Sequence, residues 1–308
     1  MDKTWRFTIK EKLSMIQKVY KINLPARHDV PKIHLYTKVY TKSGNLGQRE
    51  VLIFVPGGPG NDHTACDYGD HSFAESLLPY LDVILFDPRG CGESEKSPIE
   101  YCTLEHYIDD IEAIRKYFNI SSNQSILLGS SYGAIAALGY AIKYPSTFKK
   151  LILVCGAASG ECLNDARRTL KKIGTSAQQE TGEKILTGNF TFSPDVVTEY
   201  YETMGPLYSC SFKPGMPTPS ITFNVELVNL GFKEFIKNFD YRPMLSEVKC
   251  QTLIIAGEND WIFDKKQSEI IHQGISGSKL IVYPNCGHMI WIDQWEKFLS
   301  DVINFIDG

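Results

Sequence analysis

The chain has 308 residues, of which 43% are hydrophobic and 22% charged, and its formal net charge is −4 at pH 7. This composition is typical of a globular protein with one large hydrophobic core. The small negative charge provides no basic field for DNA or RNA, so we expect no nucleic-acid partner. No apolar run has the length of a signal peptide or a bilayer-spanning helix, so we expect a cytoplasmic protein with no membrane partner.

The eight cysteines show no paired C-x-x-C spacing. We interpret them as free thiols in a reducing compartment, most of them buried. Cys286 lies two residues before His288, but a catalytic thiol would need its own base and orienting partner. We therefore expect Cys286 to be a packed neighbour of the site.

Short apolar runs alternate with amphipathic helical segments, which is the pattern of an α/β fold: a mostly parallel sheet with helices on both faces. Strands are predicted at Lys32–Tyr40, Val51–Val55, Asp82–Phe86, Ser125–Leu128, Leu151–Val154, Thr252–Ala256 and Lys279–Tyr283. Helices are predicted at Thr103–Phe118, directly after Ser131 to near Tyr144, and at Trp291–Ile306. Near the N-terminus, Trp5–Lys10 has the pattern of a strand, and the stretch after it fits a strand or a helix.

One long segment interrupts this alternation. Between Val154 and Thr252 lie roughly 90 residues, far more than a crossover connection needs. The segment begins with helical periodicity, continues through a proline- and glycine-rich loop at Lys213–Pro219, and ends with a second helical apolar face. We predict a helical cap subdomain at residues 159–245, inserted between two parts of one core at residues 1–158 and 246–308.

The segment Gly129–Gly133 reads G-S-S-Y-G and fits the pattern G-x-S-x-G. It lies between a predicted strand and a predicted helix, which is the setting of a nucleophile held on a tight turn. Glycines on both sides of Ser131 remove the Cβ atoms that would clash there, and the helix N-terminus favours negative charge. Ser131 is the predicted nucleophile, and the alternative is a serine that caps the helix.

A serine nucleophile needs a base, and the base needs an orienting acid. In folds with this elbow, the acid and then the histidine follow the serine along the chain. His288 follows the last predicted strand in a glycine turn, so it is the predicted base. Asp260 follows the preceding strand and lies farther past its end than Glu258, so Asp260 is the predicted acid; the alternative for it is a turn or helix cap.

Two backbone N–H groups are expected to hold the oxyanion, one from the residue after the nucleophile and one from a loop after an earlier strand. Tyr132 is the residue after Ser131. The loop Val55–Gly60 contains three glycines that let the backbone approach a substrate closely, so Gly58 is the second predicted donor. The alternative is a plain turn-rich loop.

The glycine loop Gly57–Gly60 (G-G-P-G), the segment Asp87–Ser94 (D-P-R-G-C-G-E-S) and the Ser131 elbow together resemble proline iminopeptidases. The resemblance covers the core well and the cap poorly. It implies an α/β-hydrolase fold that needs no cofactor or metal and removes an N-terminal residue, preferably proline, from small peptides.

The catalytic triad of that family falls on Ser131, Asp260 and His288. These are the same residues that were predicted above as nucleophile, acid and base. Two positions depart from the family pattern. The histidine that usually precedes the glycine loop is Pro56 here, and Tyr132 stands where the family commonly has tryptophan.

The family takes its specificity from cap carboxylates that hold the α-ammonium of the substrate. The carboxylates that fit this role are Glu199, Glu202, Glu226 and Glu234. Glu226 and Glu234 are the predicted substrate-binding residues, with a solvated surface as the alternative for each carboxylate.

We expect Asp87 and Arg89 to brace loops through an ion pair.

The resulting hypothesis is a serine hydrolase that cleaves an N-terminal residue, preferably proline, from a short peptide or a similar small-molecule substrate. A carboxylesterase or lactonase acting on a small ester shares the same catalytic groups and is the first alternative. A non-catalytic binder built on the same fold is a more remote one, because a binder has no chemical need for a full triad.

Overall fold

The computed structural model describes residues 15–25, 31–65, 67, 71–191, 194–216 and 223–308, with backbone alone for 194–197. Its strands are β1 (Ile16–Leu24), β2 (Ile33–Thr41), β3 (Val51–Val55), β4 (Asp82–Phe86), β5 (Ser125–Ser130), β6 (Lys150–Val154), β7 (Gln251–Gly257) and β8 (Lys279–Tyr283). Its helices are α1 (Phe73–Leu77), α2 (Leu104–Tyr117), α3 (Tyr132–Lys143), α4 (Cys162–Ile173), α5 (Ser176–Leu186), α6 (Pro194–Tyr208), α7 (Val225–Leu230), α8 (Lys265–Gly274), α9 (Ile290–Asp293) and α10 (Trp295–Asp307).

The strands form one eight-stranded sheet in the order β1-β2-β4-β3-β5-β6-β7-β8. β1 pairs antiparallel with β2, and β2 pairs antiparallel with β4. From β4 to β8 every pairing is parallel. The carboxyl ends of these parallel strands therefore meet at one edge of the sheet, where ligands bind in open α/β sheets.

The sheet is buried on both faces, as its nearly continuous apolar strands require. In β3, Ile53 and Val55 belong to one hydrophobic cluster, whereas Leu52 and Phe54 belong to a second. Alternate side chains of a strand point to opposite faces, so the two clusters lie on opposite sides of the sheet. Helices α2 and α3 cover the first side, and α1 and α10 cover the second.

The predicted α/β fold with a mostly parallel sheet is confirmed, and each of the seven predicted strands is present within two residues of its expected ends. The stretch that fitted a strand or a helix contains strand β1. The predicted strand at Trp5–Lys10 lies outside the described residues. The single helix predicted at Trp291–Ile306 is wrong, because the backbone at Gln294 (φ −146°, ψ 52°) separates α9 from α10.

The long insertion between β6 and β7 is helical, as its periodicity indicates. It contains α4 to α7, a turn of π-helix at Gly231–Ile236 that continues α7, and a short 3₁₀ segment at Arg242–Glu247. A hydrogen bond from the Gly160 N–H to the Phe239 carbonyl, 2.9 Å, joins the beginning of the insertion to its end. The insertion therefore leaves the sheet and returns to it at nearly the same place.

Asp87 and Arg89 brace loops, but with separate partners rather than with each other. Arg89 makes a bidentate pair with Asp110 of α2, at 2.6 and 2.8 Å, and both side chains are buried. The Asp87 carboxylate accepts hydrogen bonds from the backbone N–H and the ring Nδ1 of His63 and from the Glu93 N–H. His63 therefore has a structural partner and does not line the cavity described below.

The Arg89–Asp110 pair leads to a stability prediction. Replacing Asp110 by alanine leaves the Arg89 guanidinium buried without its carboxylate, so the free energy of unfolding should fall by about 3–5 kcal/mol. Asp240→Ala is the matched control, because the Asp240–Arg242 pair is exposed and should contribute no more than about 1 kcal/mol. Urea denaturation measures both changes, and equal losses would contradict the importance of the buried pair.

Candidate active site

Ser131 lies on the turn between β5 and α3, in a backbone conformation that is rare outside glycine. Its φ is 58° and its ψ is −124°. The Ser131 N–H donates to the Val154 carbonyl at the end of β6, 2.9 Å away, and this bond holds the turn against the neighbouring strand. Backbone strain of this kind persists only where the surroundings fix the conformation.

The two glycines of the motif are required by close backbone contacts. A Cβ atom at Gly129 would lie 2.2 Å from the Gly133 carbonyl oxygen, and one at Gly133 would lie 2.1 Å from the Val55 carbonyl oxygen. Real Cβ atoms do not approach other atoms so closely. The spacing seen in the sequence therefore reflects a turn on which α3 packs directly against the end of β3.

The structure brings Ser131, His288 and Asp260 together in one chain of hydrogen bonds. The Ser131 Oγ lies 3.0 Å from the His288 Nε2, and the His288 Nδ1 lies 2.6 Å from an Asp260 carboxylate oxygen. Asp260 is 2% exposed and His288 is 7% exposed, so solvent screens these contacts little. The three residues come from the ends of β5, β7 and β8.

Asp260, rather than Glu258, is the acid that reaches the imidazole. One Asp260 oxygen accepts the backbone N–H groups of Ile262 and Phe263, at 2.9 and 3.0 Å, which leaves the other oxygen for His288. The Glu258 side chain is 46% exposed and pairs with Lys265. Asp260 thus also has the turn-forming role that was its alternative: one carboxylate oxygen caps its own loop, and the other faces His288.

The loop that carries His288 rests on the insertion. The Met289 N–H donates to the Tyr208 carbonyl at the end of α6, and a Cβ at Gly287 would lie 2.4 Å from that same oxygen. Asp293 accepts the Gly287 N–H at 2.7 Å and also the hydroxyl of Ser209 at 2.6 Å. The sequence analysis did not predict a role for Asp293, because Ser209, 84 residues away in the sequence, becomes its neighbour only in the folded chain.

The glycine loop lies directly beside the elbow. A Cβ at Gly57 would lie 2.9 Å from the Ser130 carbonyl oxygen and 3.0 Å from the Ser131 Cβ. Gly58, with φ +112°, lines the same cavity as Ser131. Tyr132, the residue after Ser131, is the first residue of α3. The two predicted N–H donors therefore belong to the two segments next to Ser131, the glycine loop and the first residue of α3.

Pro56, at the position where proline iminopeptidases usually have histidine, has a defined partner. Its carbonyl accepts the hydroxyl of Tyr107 at 2.8 Å, and the Tyr107 ring stacks on the Tyr132 ring with centroids 6.0 Å apart. Both tyrosine side chains are buried. Together these contacts tie the glycine loop to α2 and α3.

A cavity of about 110 Å³ lies beside Ser131 and His288. The insertion provides much of its wall, including Ile185, Val228 and most of the aromatic side chains. The aromatic residues that line it are Tyr200, Tyr201, Tyr208, Phe223, Phe232 and Trp291. Among the side chains that the structure describes, no carboxylate, lysine or arginine lines this cavity.

Glu226 and Glu234 are not brought to the site. Both side chains are exposed, and neither lines the cavity, whereas Val228 and Phe232 two positions away do line it. Residues two positions apart point to nearly opposite sides of a helix, so the apolar face turns to the cavity and the acids to solvent. The structure therefore does not support these two residues as ligands of a substrate amine, and it also places Glu199 and Glu202 in exposed positions.

Comparison with known proteins agrees with this fold. The sequence profile of the alpha/beta hydrolase fold matches residues 50–294. The chain belongs to the α/β-hydrolase family. It is similar to a proline iminopeptidase of Saccharolobus solfataricus, with 28% identity over 94% of both chains. It is also similar to the proline iminopeptidase PfmaB of Pestalotiopsis fici, with 31% identity over 83% of this chain and 92% of that protein.

Solved structures show the same fold. An alpha/beta fold family hydrolase of Bacillus anthracis superposes with a TM-score of 0.71 at 18% identity, over 95% of this chain and 98% of the other. In the described ranges of this α/β-hydrolase, no helix is both long enough and apolar enough to cross a membrane.

Two side-chain clusters in the described part of this α/β-hydrolase have three potential metal ligands within 4.8 Å of one another: Cys155, Asp260 and His288, and Asp62, His63 and Asp87. In each cluster the histidine Nδ1 lies 2.6 Å from the aspartate. A metal bound to either Nδ1 would replace that hydrogen bond, because a metal-bound nitrogen has no proton to donate.

Cys286 is buried, and its thiol contacts the Gly287 carbonyl. Burial, with the nearby Asp293 carboxylate, raises the pKa of the Cys286 thiol. It is therefore uncharged at neutral pH, as expected for a packed neighbour of the site.

The two carboxylates after β7 provide a test of the assignment. Asp260→Asn should lower kcat by roughly 10³- to 10⁴-fold, because an amide favours the wrong imidazole tautomer. Glu258→Gln is the matched control and should leave kcat near that of the parent, since Glu258 contacts Lys265 at the surface. Steady-state kinetics of both variants decide the point, and equal losses would mean that Asp260 is not the orienting group.

Proposed function

We propose that this α/β-hydrolase is a serine hydrolase that forms an acyl-enzyme on Ser131. The hydrogen-bond chain from Ser131 through His288 to Asp260 carries this proposal. A packing or capping role for Ser131 does not require an imidazole at 3.0 Å that is itself held by a buried carboxylate. In this proposal the insertion at residues 159–245 acts as the cap over the site.

The mechanism follows from the geometry. His288 takes the Ser131 proton through its Nε2, and the serine oxygen attacks the substrate carbonyl. The Gly58 and Tyr132 N–H groups hold the oxyanion that forms. As this intermediate collapses, His288 gives its proton to the leaving amine or alcohol, and the acyl group remains on Ser131. Water then attacks the acyl-enzyme while His288 takes its proton, and the carboxylic acid leaves as that proton returns to the Ser131 oxygen. Asp260 keeps the Nδ1–H of the imidazole directed toward itself and stabilises the imidazolium.

A fluorophosphonate tests the nucleophile without knowledge of the substrate. It should label Ser131, and Ser131→Ala should abolish both labelling and turnover while Cys286→Ala retains them. The labelling rate should fall in acid, because a protonated imidazole accepts no proton from Ser131. Mass spectrometry that locates the adduct on another residue would refute the assignment.

For the substrate, we propose a peptide or amide with a free N-terminal residue, proline being preferred. The similarity to proline iminopeptidases over most of the chain supports this choice. Because no described carboxylate lines the cavity, the substrate amine would not be held by Glu226 or Glu234, the cap carboxylates that the sequence predicted for this role. Among the described residues, six aromatic side chains line the cavity, and aromatic faces attract ammonium groups by cation–π interaction.

The second candidate is an ester hydrolase. The apolar lining of the cavity supports it directly, because such walls accept an uncharged acyl or alkoxy group without leaving a buried charge unpaired. The same Ser131, His288 and Asp260 would cleave a small ester or lactone.

A comparison of free and blocked amines separates the two candidates. For the aminopeptidase, N-acetylation of prolyl-β-naphthylamide should lower kcat/KM by roughly 2- to 30-fold, which corresponds to a cation–π contribution of about 0.5–2 kcal/mol. N-methylproline amide, which keeps the charge while adding bulk, is the substrate control. Glu226→Gln and Glu234→Gln should leave the preference unchanged. Cleavage of short acyl esters without amide hydrolysis would favour the ester hydrolase.

A further inference from the structure

The glycine loop that carries the proposed oxyanion donor is in direct contact with the insertion. The Asn224 N–H, at the start of α7, donates to the Gly60 carbonyl at 2.9 Å. A Cβ atom at Gly60 would lie 2.6 Å from the Asn224 carbonyl oxygen and 3.2 Å from the Val228 side chain. The backbone of the loop therefore packs on the backbone of the helix, with no room for a side chain between them.

The closest approach is between Pro59 and Gly231. Gly231 is the first residue of the π-helical turn that continues α7, and both residues are buried. A Cβ atom at Gly231 would lie 2.1 Å from the Pro59 Cγ and 2.7 Å from the Pro59 Cβ. Because the proline ring is closed on the backbone nitrogen, it cannot turn aside. A side chain at position 231 would have to move the loop, and Pro59 directly follows Gly58.

Helix α7 is itself fixed at both ends. Near its last turn, a Cβ at Gly188 would lie 2.2 Å from the Asn229 carbonyl oxygen. The Asn229 side chain also pairs with the backbone of Phe190, accepting its N–H at 2.9 Å and donating to its carbonyl at 2.7 Å. At the first turn, the Asn224 Nδ2 donates to the Gly90 carbonyl at 2.8 Å. The glycine loop therefore packs against a helix that is held in place independently of it.

The contact is made by the same stretch of helix that lines the cavity. Val228 and Phe232 line the cavity, and Gly231 lies between them in the sequence. The π-helical geometry begins at Gly231. Turns of this kind are rare and are frequently found at functional sites. The position of the Gly58 N–H thus depends on where α7 and its continuation lie.

We propose that Gly231 is a positioning residue of the oxyanion hole: its missing side chain lets Pro59 lie against the end of α7, which sets the Gly58 N–H relative to Ser131. This inference rests on the proposed serine hydrolase function. An oxyanion donor acts at hydrogen-bond distance from the oxygen of the transition state. A small displacement of the glycine loop therefore lowers the rate of attack without changing the base. The insertion takes part in the chemical step in addition to lining the cavity.

The test is the rate of fluorophosphonate labelling at Ser131 in the full-length protein, because the phosphonyl oxygen gains negative charge as the serine oxygen attacks. Gly231→Ala should slow labelling by about 10- to 100-fold. The fall of the labelling rate in acid should keep its midpoint, because the loops after β7 and β8 form the hydrogen bond between His288 and Asp260. Reduced stability alone would leave the labelling rate of the folded protein unchanged.

Gly182→Ala is the matched control. Gly182 is a buried helical glycine of α5, and a Cβ there would meet the Leu170 side chain within the insertion, 2.5 Å away. This variant should be labelled at the parent rate. Pro59→Gly removes the ring atoms that a Cβ at Gly231 would meet, so Gly231→Ala should slow labelling much less in that background than in the parent.

Labelling of Gly231→Ala at the parent rate would overturn the inference. A shifted midpoint in acid would also overturn it, because the substitution would then act through His288. So would an equal loss in Gly182→Ala, or an undiminished effect of Gly231→Ala in the Pro59→Gly background.

If Gly231→Ala does not fold, Asn224→Ala decides. This substitution removes the N-cap of α7 and its bond to the Gly90 carbonyl, which loosens the helix over the glycine loop. Labelling should slow by about three- to tenfold with the same midpoint in acid, and an unchanged rate overturns the inference. A parent protein that is not labelled at Ser131 would instead refute the proposed function. The two failures are therefore distinguishable.

Discussion

The site depends on how closely the ends of neighbouring strands approach the turns beside them. A Cβ at Gly133 would lie 2.1 Å from the Val55 carbonyl oxygen, and one at Gly257 would lie 2.0 Å from the Gly287 carbonyl oxygen. Only residues without a side chain allow these approaches. The resulting backbone packing fixes Ser131 relative to the glycine loop and brings the loop of His288 against the end of β7. Hydrogen-bond distances of 3.0 and 2.6 Å within the catalytic chain follow from it.

Polar groups then hold the carboxylate that the mechanism uses. Asp260 is almost fully buried, and a buried charge is tolerated only when it is hydrogen-bonded. Two backbone N–H groups of its own loop satisfy one oxygen, so the carboxylate cannot rotate without losing them. The imidazole receives the other oxygen. In this way the loop after β7 fixes the orientation of the His288 ring, which is what the proposed acid–base step requires.

The insertion has two roles that are physically connected. Its aromatic side chains line the cavity, and the Tyr208 carbonyl at the end of α6 accepts the Met289 N–H from the loop of His288. The Tyr208 ring also packs edge-on against the His288 ring, with centroids 5.8 Å apart. A movement of α6 would therefore change both the shape of the cavity and the position of the imidazole. The wall of the cavity and the position of the His288 ring thus both depend on Tyr208.

Local sequence patterns determined the fold class, the positions of the strands, and the identities of Ser131, Asp260 and His288, because each depends on short-range periodicity or on a turn whose glycines are visible in the sequence. Tertiary structure decided what depends on distant partners. The pairing of Arg89 with Asp110, the exposure of Glu226 and Glu234, and the break at Gln294 arise from how helices pack on the sheet and on one another. Helical periodicity shows which face of a helix is apolar, but the lining of the cavity depends on which neighbour that face meets.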